Sequence, residues 1–111
     1  MYTPKEDIYS ALSTLDATVV QGSQNIFTET PAITFTISDN AVELDLDNEI
    51  NSQSIIATID IWSETSSAAT DLLKSVEETM RDIGYKMTYS ADIPRPDGAL
   101  YHINCRFETV R

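Results

Sequence analysis

The chain changes hydrophobic period several times, and each change marks an element. In "TPKEDIYSALSTL" the apolar residues Ile8, Ala11, Leu12 and Leu15 recur at helical spacing. Ahead of them Thr3 can cap, Pro4 suits the first helical position and Glu6 can close a capping box. A helix is expected over residues 4–15. The pattern fades through "DATVVQGSQN", which reads as a loop around Gly22. After Pro31 the period becomes two: Ile33, Phe35 and Ile37 alternate with Thr34, Thr36 and Ser38, as in a half-buried strand. A turn-like "SDN" then leads into "NAVELDLDNEI", where Val42, Leu44 and Leu46 form one face of a second strand and Glu43, Asp45 and Asp47 the other. Residues 55–62 place Ile55, Ala57, Ile59 and Ile61 in one register and Ile56 and Trp62 in the other, so both faces are partly apolar, as in a central strand.

The helical period returns in "SETSSAATDLLKSVEETMRDIG". Ala69, Leu72, Leu73, Val76, Met80 and Ile83 share one face, opposite Lys74, Glu78, Arg81 and Asp82. Ser63, Thr65 and Ser66 are candidate caps, and Gly84 is a left-handed stop. Tyr85, Met87 and Tyr89 then alternate with polar residues, "PRPDG" turns, and Tyr101, Ile103, Cys105 and Phe107 alternate with His102, Asn104, Arg106 and Glu108 in a closing hairpin. The expected fold is α+β, in the order α-β-β-β-α-β-β. A mainly antiparallel sheet of about four to five strands should carry both helices on its apolar face.

At 111 residues the chain is expected to be one domain, 1–111, burying roughly two-thirds of its unfolded surface. No window approaches the ~18 apolar residues of a membrane span, and "MYTPKEDIYS" has no basic segment followed by an apolar run, so an intracellular protein is expected. Eighteen acids against seven bases give a formal net charge of −11, which disfavours nucleic-acid binding, a function that needs clustered Lys and Arg. Two acidic roles stay open. One is a surface that DNA passes without sticking, and the other is a mimic that occupies the basic cleft of a DNA-binding protein.

Catalytic and metal chemistry find little support. A calcium loop begun at Asp45 would place Ile50 where glycine is needed and Ile56 where glutamate is needed. On a strand, Asp45 and Asp47 would lie about 7 Å apart, within reach of a paired-carboxylate mechanism, but any alternating acidic strand produces that spacing. One His and one Cys are too few for a closed zinc site, and His102 and Cys105 fall on opposite faces of their strand. The serines of "SETSSAAT" lack a nucleophile elbow, and no phosphate-cradling glycine loop occurs. No cofactor, metal or enzymatic activity is expected. Trp62 either covers an edge of the core or stands at an interface.

From Ala57 to Glu108 by motif, and over the whole chain by element order, the sequence resembles the tail completion proteins of long-tailed bacteriophages and prophages, also called tail terminators or head-to-tail joining proteins. The resemblance rests on an "IDIW" strand (Ile59 to Trp62), a Ser/Thr-rich turn into an amphipathic helix ending at Gly84-Tyr85, and a last strand with Tyr101, His102, Arg106 and Phe107. It implies a non-enzymatic virion protein that caps the tail tube as a homo-hexameric ring and joins it to the head connector. Its partners would be tube protein and connector, with genome DNA passing unbound. It would be assembled in the host cytoplasm and reside at the head-proximal end of the tail. On that reading Glu43, Asp45, Asp47 and Glu49 are a candidate lumen or interface stripe. Trp62, Arg95 and Asp97 are candidate contacts, with the loops at residues 50–54 and 94–98. The alternative is the acidic DNA mimic.

Overall fold

The computed structural model describes residues 1–22 and 29–111. Its elements are α1 (Pro4–Leu12), β1 (Thr18–Gln21), β2 (Ala32–Leu44), β3 (Ile50–Ser63), α2 (Ser66–Asp82), β4 (Lys86–Ile93) and β5 (Tyr101–Val110). The strands form a single sheet in the order β1-β2-β3-β5-β4, antiparallel throughout except for the parallel β1–β2 pair. The α+β class and the α-β-β-β-α-β-β order are as expected, and β3 is central. Both helices pack on one face of the sheet.

The three strands before α2 are not assembled as the periodicity suggests. "SDN" is not a turn: β2 runs straight through it, with a register shift between Ile37 and Asp39 that marks a bulge at Ser38. A polar triplet survives inside a strand here because Ser38, Asp39 and Asn40 are themselves exposed. The first two expected strands are thus one strand of 13 residues. The third is β1, which lies within the expected loop; residues 23–25 of that loop fall outside the described residues. Helix α1 also ends early, at Leu12, where the Ser13 and Thr14 hydroxyls donate back to the carbonyls of Tyr9 and Ala11 and close the last turn.

The core lies between helices and sheet. Ile8 and Leu12 from α1, and Ala69, Leu72, Val76 and Met80 from α2, meet Ile33, Phe35, Ile55, Ala57, Ile59, Ile61, Ile103, Cys105 and Phe107. Burying each large side chain of this set is worth about 1.5–3 kcal/mol. Helix α2 starts at Thr65, whose hydroxyl accepts the Ala68 amide N–H at 3.2 Å, and stops at Gly84, whose φ of +94° is a conformation that side-chain-bearing residues rarely adopt.

Candidate functional site

The register of the strands gives the molecule two ends, and its long axis spans 55 Å against 25 and 22 Å across. Strand β1 stops opposite Phe35 and β5 stops opposite Ser54, while β2 and β3 continue as a two-stranded arm to a tip at residues 45–49. Beyond Phe35, among the described residues, β2 has no strand neighbour other than β3. At the opposite end lie the start of α2 and the loop joining β4 to β5.

The acidic stretch behaves differently from an alternating strand. Only Glu43 lies on β2; Asp45, Asp47 and Glu49 belong to the tip. Asp45 builds the turn. Its Oδ1 accepts the amide N–H groups of Asp47 at 2.9 Å and Glu49 at 3.0 Å, and its own main chain bonds to Glu49 and Asn48. Asn48 completes the reversal with φ +61°, a left-handed conformation that Asn tolerates. Asp45 and Asp47 therefore sit in a turn and not on one face of a strand, so the strand spacing considered for a carboxylate pair does not apply to them. Among the described residues no three His, Cys, Asp or Glu side chains converge as a metal site.

The apolar residues of the arm are the larger surprise. The alternation places Val42, Leu44 and Leu46 on one face of a strand, the face that would ordinarily be core. The fold leaves them in water instead, with Leu46 fully exposed, Leu44 at 56%, Val42 at 45% and Ile50 at 42%. They are exposed because the helices end before the arm begins: Tyr2, just before α1, reaches only to Gln53. Four large apolar side chains in one contiguous arm, set among Glu43, Asp45, Asp47 and Glu49, have the composition of a contact surface.

The sheet face away from the helices has two parts. Near its centre Asp60, only 7% exposed, accepts hydrogen bonds from His102 Nε2 at 2.7 Å and Asn104 Nδ2 at 2.8 Å. Trp62 stacks on His102 with ring centroids 3.8 Å apart and donates from Nε1 to the Thr34 hydroxyl at 3.1 Å. Trp62 is thus half-buried in a polar network on this face, while His102 and Cys105 do point to opposite faces. Cys105 is wholly buried and donates to the Ile59 carbonyl, and burial, reinforced by Asp60, pushes its thiol up to about 12. A thiol held protonated in this way is no nucleophile.

The outer part of the same face belongs to β4, an edge strand. Tyr89 and Ile93 are exposed there, opposite Arg106 and His102 of β5. The Arg106 guanidinium lies 5.6 Å from the centre of the Tyr89 ring. In the loop that follows, Arg95 stacks on Tyr101 at 3.8 Å and donates to the Ala99 carbonyl, while Asp97 and Gly98 form an exposed turn closed by a hydrogen bond from Ala99 to Pro96. Arg95 is therefore held by its own loop, and Asp97 is solvated.

The structure brings Trp62, Arg95 and Asp97 to one end of the molecule and the acidic residues to the other. The sequence reading did not single out the exposed β4 edge or the arm's apolar residues. A signal was present for the arm in "DLDNEI", where Asp and Asn three residues apart suit a turn better than a continuing strand.

Among the described residues no helix is long and apolar enough to cross a membrane. A search of curated proteins found no match to this chain. The family model of the tail completion protein gp17 matches residues 6–111, a span that takes in the sheet, α2, most of α1 and the whole of the arm. The chain accordingly belongs to the tail completion protein gp17 family and is a structural component of a bacteriophage tail, a part of the virion.

Proposed function

We propose that this chain closes the head-proximal end of the tail tube as a homo-hexameric ring and joins the tail to the head connector, without enzymatic activity. The observation that carries this reading is the family match over residues 6–111. The physical character of the fold supports it. A ring built from chains of net charge −11 presents a surface from which phosphate is repelled, so a genome can pass without adhering. The elongated shape and the two unlike ends suit a part with more than one neighbour. The end carrying Arg95, Asp97 and the stacked Trp62–His102 pair is the part offered to the tube or the connector. Assembly takes place in the host cytoplasm before the particle is complete.

Deleting the gene from a phage that carries it tests the reading. Filled heads and separate tails, rejoined when the gene is supplied from a plasmid, are the expected products under the electron microscope. Normally joined, infectious particles lacking the chain would refute it.

A further inference from the structure

Resting on that ring reading, we infer that the β2–β3 arm of one copy docks along the β4 edge and adjoining open sheet face of the next, so that the subunit contact is head-to-tail. The occupant of the β4 surface is a second copy of this chain. Three observations converge on it.

The first is apolar match. The arm exposes Val42, Leu44, Leu46 and Ile50, and the β4 surface exposes Tyr89 and Ile93. Each set is costly to leave in water, and each gains by covering the other.

The second is charge. The arm carries Glu43, Asp47 and Glu49 around its apolar residues, with Asp45 committed to the turn. The chain has only seven basic residues, and three of them collect at the β4–β5 hairpin: Lys86 at the start of β4, Arg106 beside Tyr89, and Arg95 just past Ile93. Glu108 opposite Lys86, Asp92 on β4 and Asp97 in the loop balance these three charges, so the hairpin is neutral where the arm is acidic. An acidic apolar arm is repelled by a second arm and not by a neutral apolar edge that presents Lys86 and Arg106, and this difference orients two copies.

The third is topology. β4 ends the sheet on one side, and β2 beyond Phe35 is flanked only by β3 among the described residues. Two unlike edges on opposite sides of one sheet give a heterologous contact, and such contacts close rings when the rotation between copies allows.

Crosslinking in assembled tails tests this. Leu46→Cys and Ile93→Cys are placed in one chain; both sites are exposed, and the native Cys105 is buried and silent. Purified tails are treated with a short bismaleimide and resolved on a denaturing gel. A ladder of crosslinked species ending at the closed ring is expected from the double variant, with no crosslinked product from either single variant. Dimers from Leu46→Cys alone would overturn the head-to-tail geometry, because they require arm-to-arm contact. Uncrosslinked chains in tails that hold the usual complement of this protein would overturn the arm contact and leave the ring standing. Tails that lack even the wild-type chain would remove the ring reading itself. In a second arm, Leu46→Lys is expected to keep the wild-type urea midpoint as isolated protein while losing at least tenfold in incorporation into tails; folded and fully incorporated protein would contradict the inference.

Discussion

Gln53 holds Tyr2 by both of its backbone groups: its Oε1 accepts the Tyr2 amide N–H at 2.9 Å, and its Nε2 donates to the Tyr2 carbonyl at 3.2 Å. Its main chain exchanges hydrogen bonds of 3.0 and 2.8 Å with Arg111. Residues 2 and 111 are thus fastened to one residue at the root of the arm. Gln53 is nearly buried, at 3% exposure, and its amide also donates to Asn40. Replacing Gln53 with Ala is expected to cost about 1–3 kcal/mol, since the Tyr2 groups and Asn40 lose their partner in a partly buried place. A lowered urea midpoint with unchanged slope checks this. An unchanged midpoint would show that the clasp is incidental.

The arm tip should be locally, not globally, important. Asp45→Ala removes the acceptor of the Asp47 and Glu49 amides, so hydrogen exchange at those two amides should rise at least tenfold. The unfolding midpoint should move by less than about 1 kcal/mol, because the arm lies outside the core.

Trp62 is the sole tryptophan, so its fluorescence reports on the open face alone. Trp62→Phe keeps an aromatic ring against His102 but leaves the fully buried Thr34 hydroxyl without the indole donor. A loss of about 1 kcal/mol is expected by denaturant titration followed through circular dichroism.

Alkaline pH should destabilise the protein through its buried groups. Burial pushes the Cys105 thiol up to about 12 from 9.0, and burial also raises the Tyr2 and Tyr85 hydroxyls above 10.0. Each folded-state value lies above its unfolded one, so the fold favours the protonated forms. Their stabilisation is complete below about pH 9 and is lost as pH rises toward 12. Stability measured between pH 8 and 11 should therefore fall, and Cys105 should react with a thiol reagent at pH 8 only as fast as the chain opens. Rapid labelling in native protein would contradict the burial.

How far the fold was legible follows from what each pattern measures. α2, β3 and β5 were readable because a single strong period runs through each, with Ala69, Val76 and Met80 in one case and Ile59, Cys105 and Phe107 in the others meeting in one core. β1 was not readable: "TVVQ" is four residues long, and its parallel pairing with β2 leaves no local turn signal. Alternation in "VELDL" correctly marked an extended segment as far as Leu44, but period two records which side chains share a face and not whether anything covers that face. The helices stop short of the arm, so Val42 and Leu44 stand in solvent where the pattern alone suggested core. The candidate contacts Arg95 and Asp97 were placed in a turn, as "PRPDG" indicated, whereas the partnership of Asp60 with His102 and Asn104 spans three separated strand positions on two strands and becomes visible only once β3 and β5 are in register.

A ring at the end of a phage tail fixes the number of copies of this chain per particle. Purified particles are digested and this chain is quantified by mass spectrometry against the tail-tube protein. A small fixed number of copies per particle, one ring's worth and far below the tube subunit, is the result expected here. Stoichiometry equal to that of the tube protein, or absence from infectious particles, would contradict it.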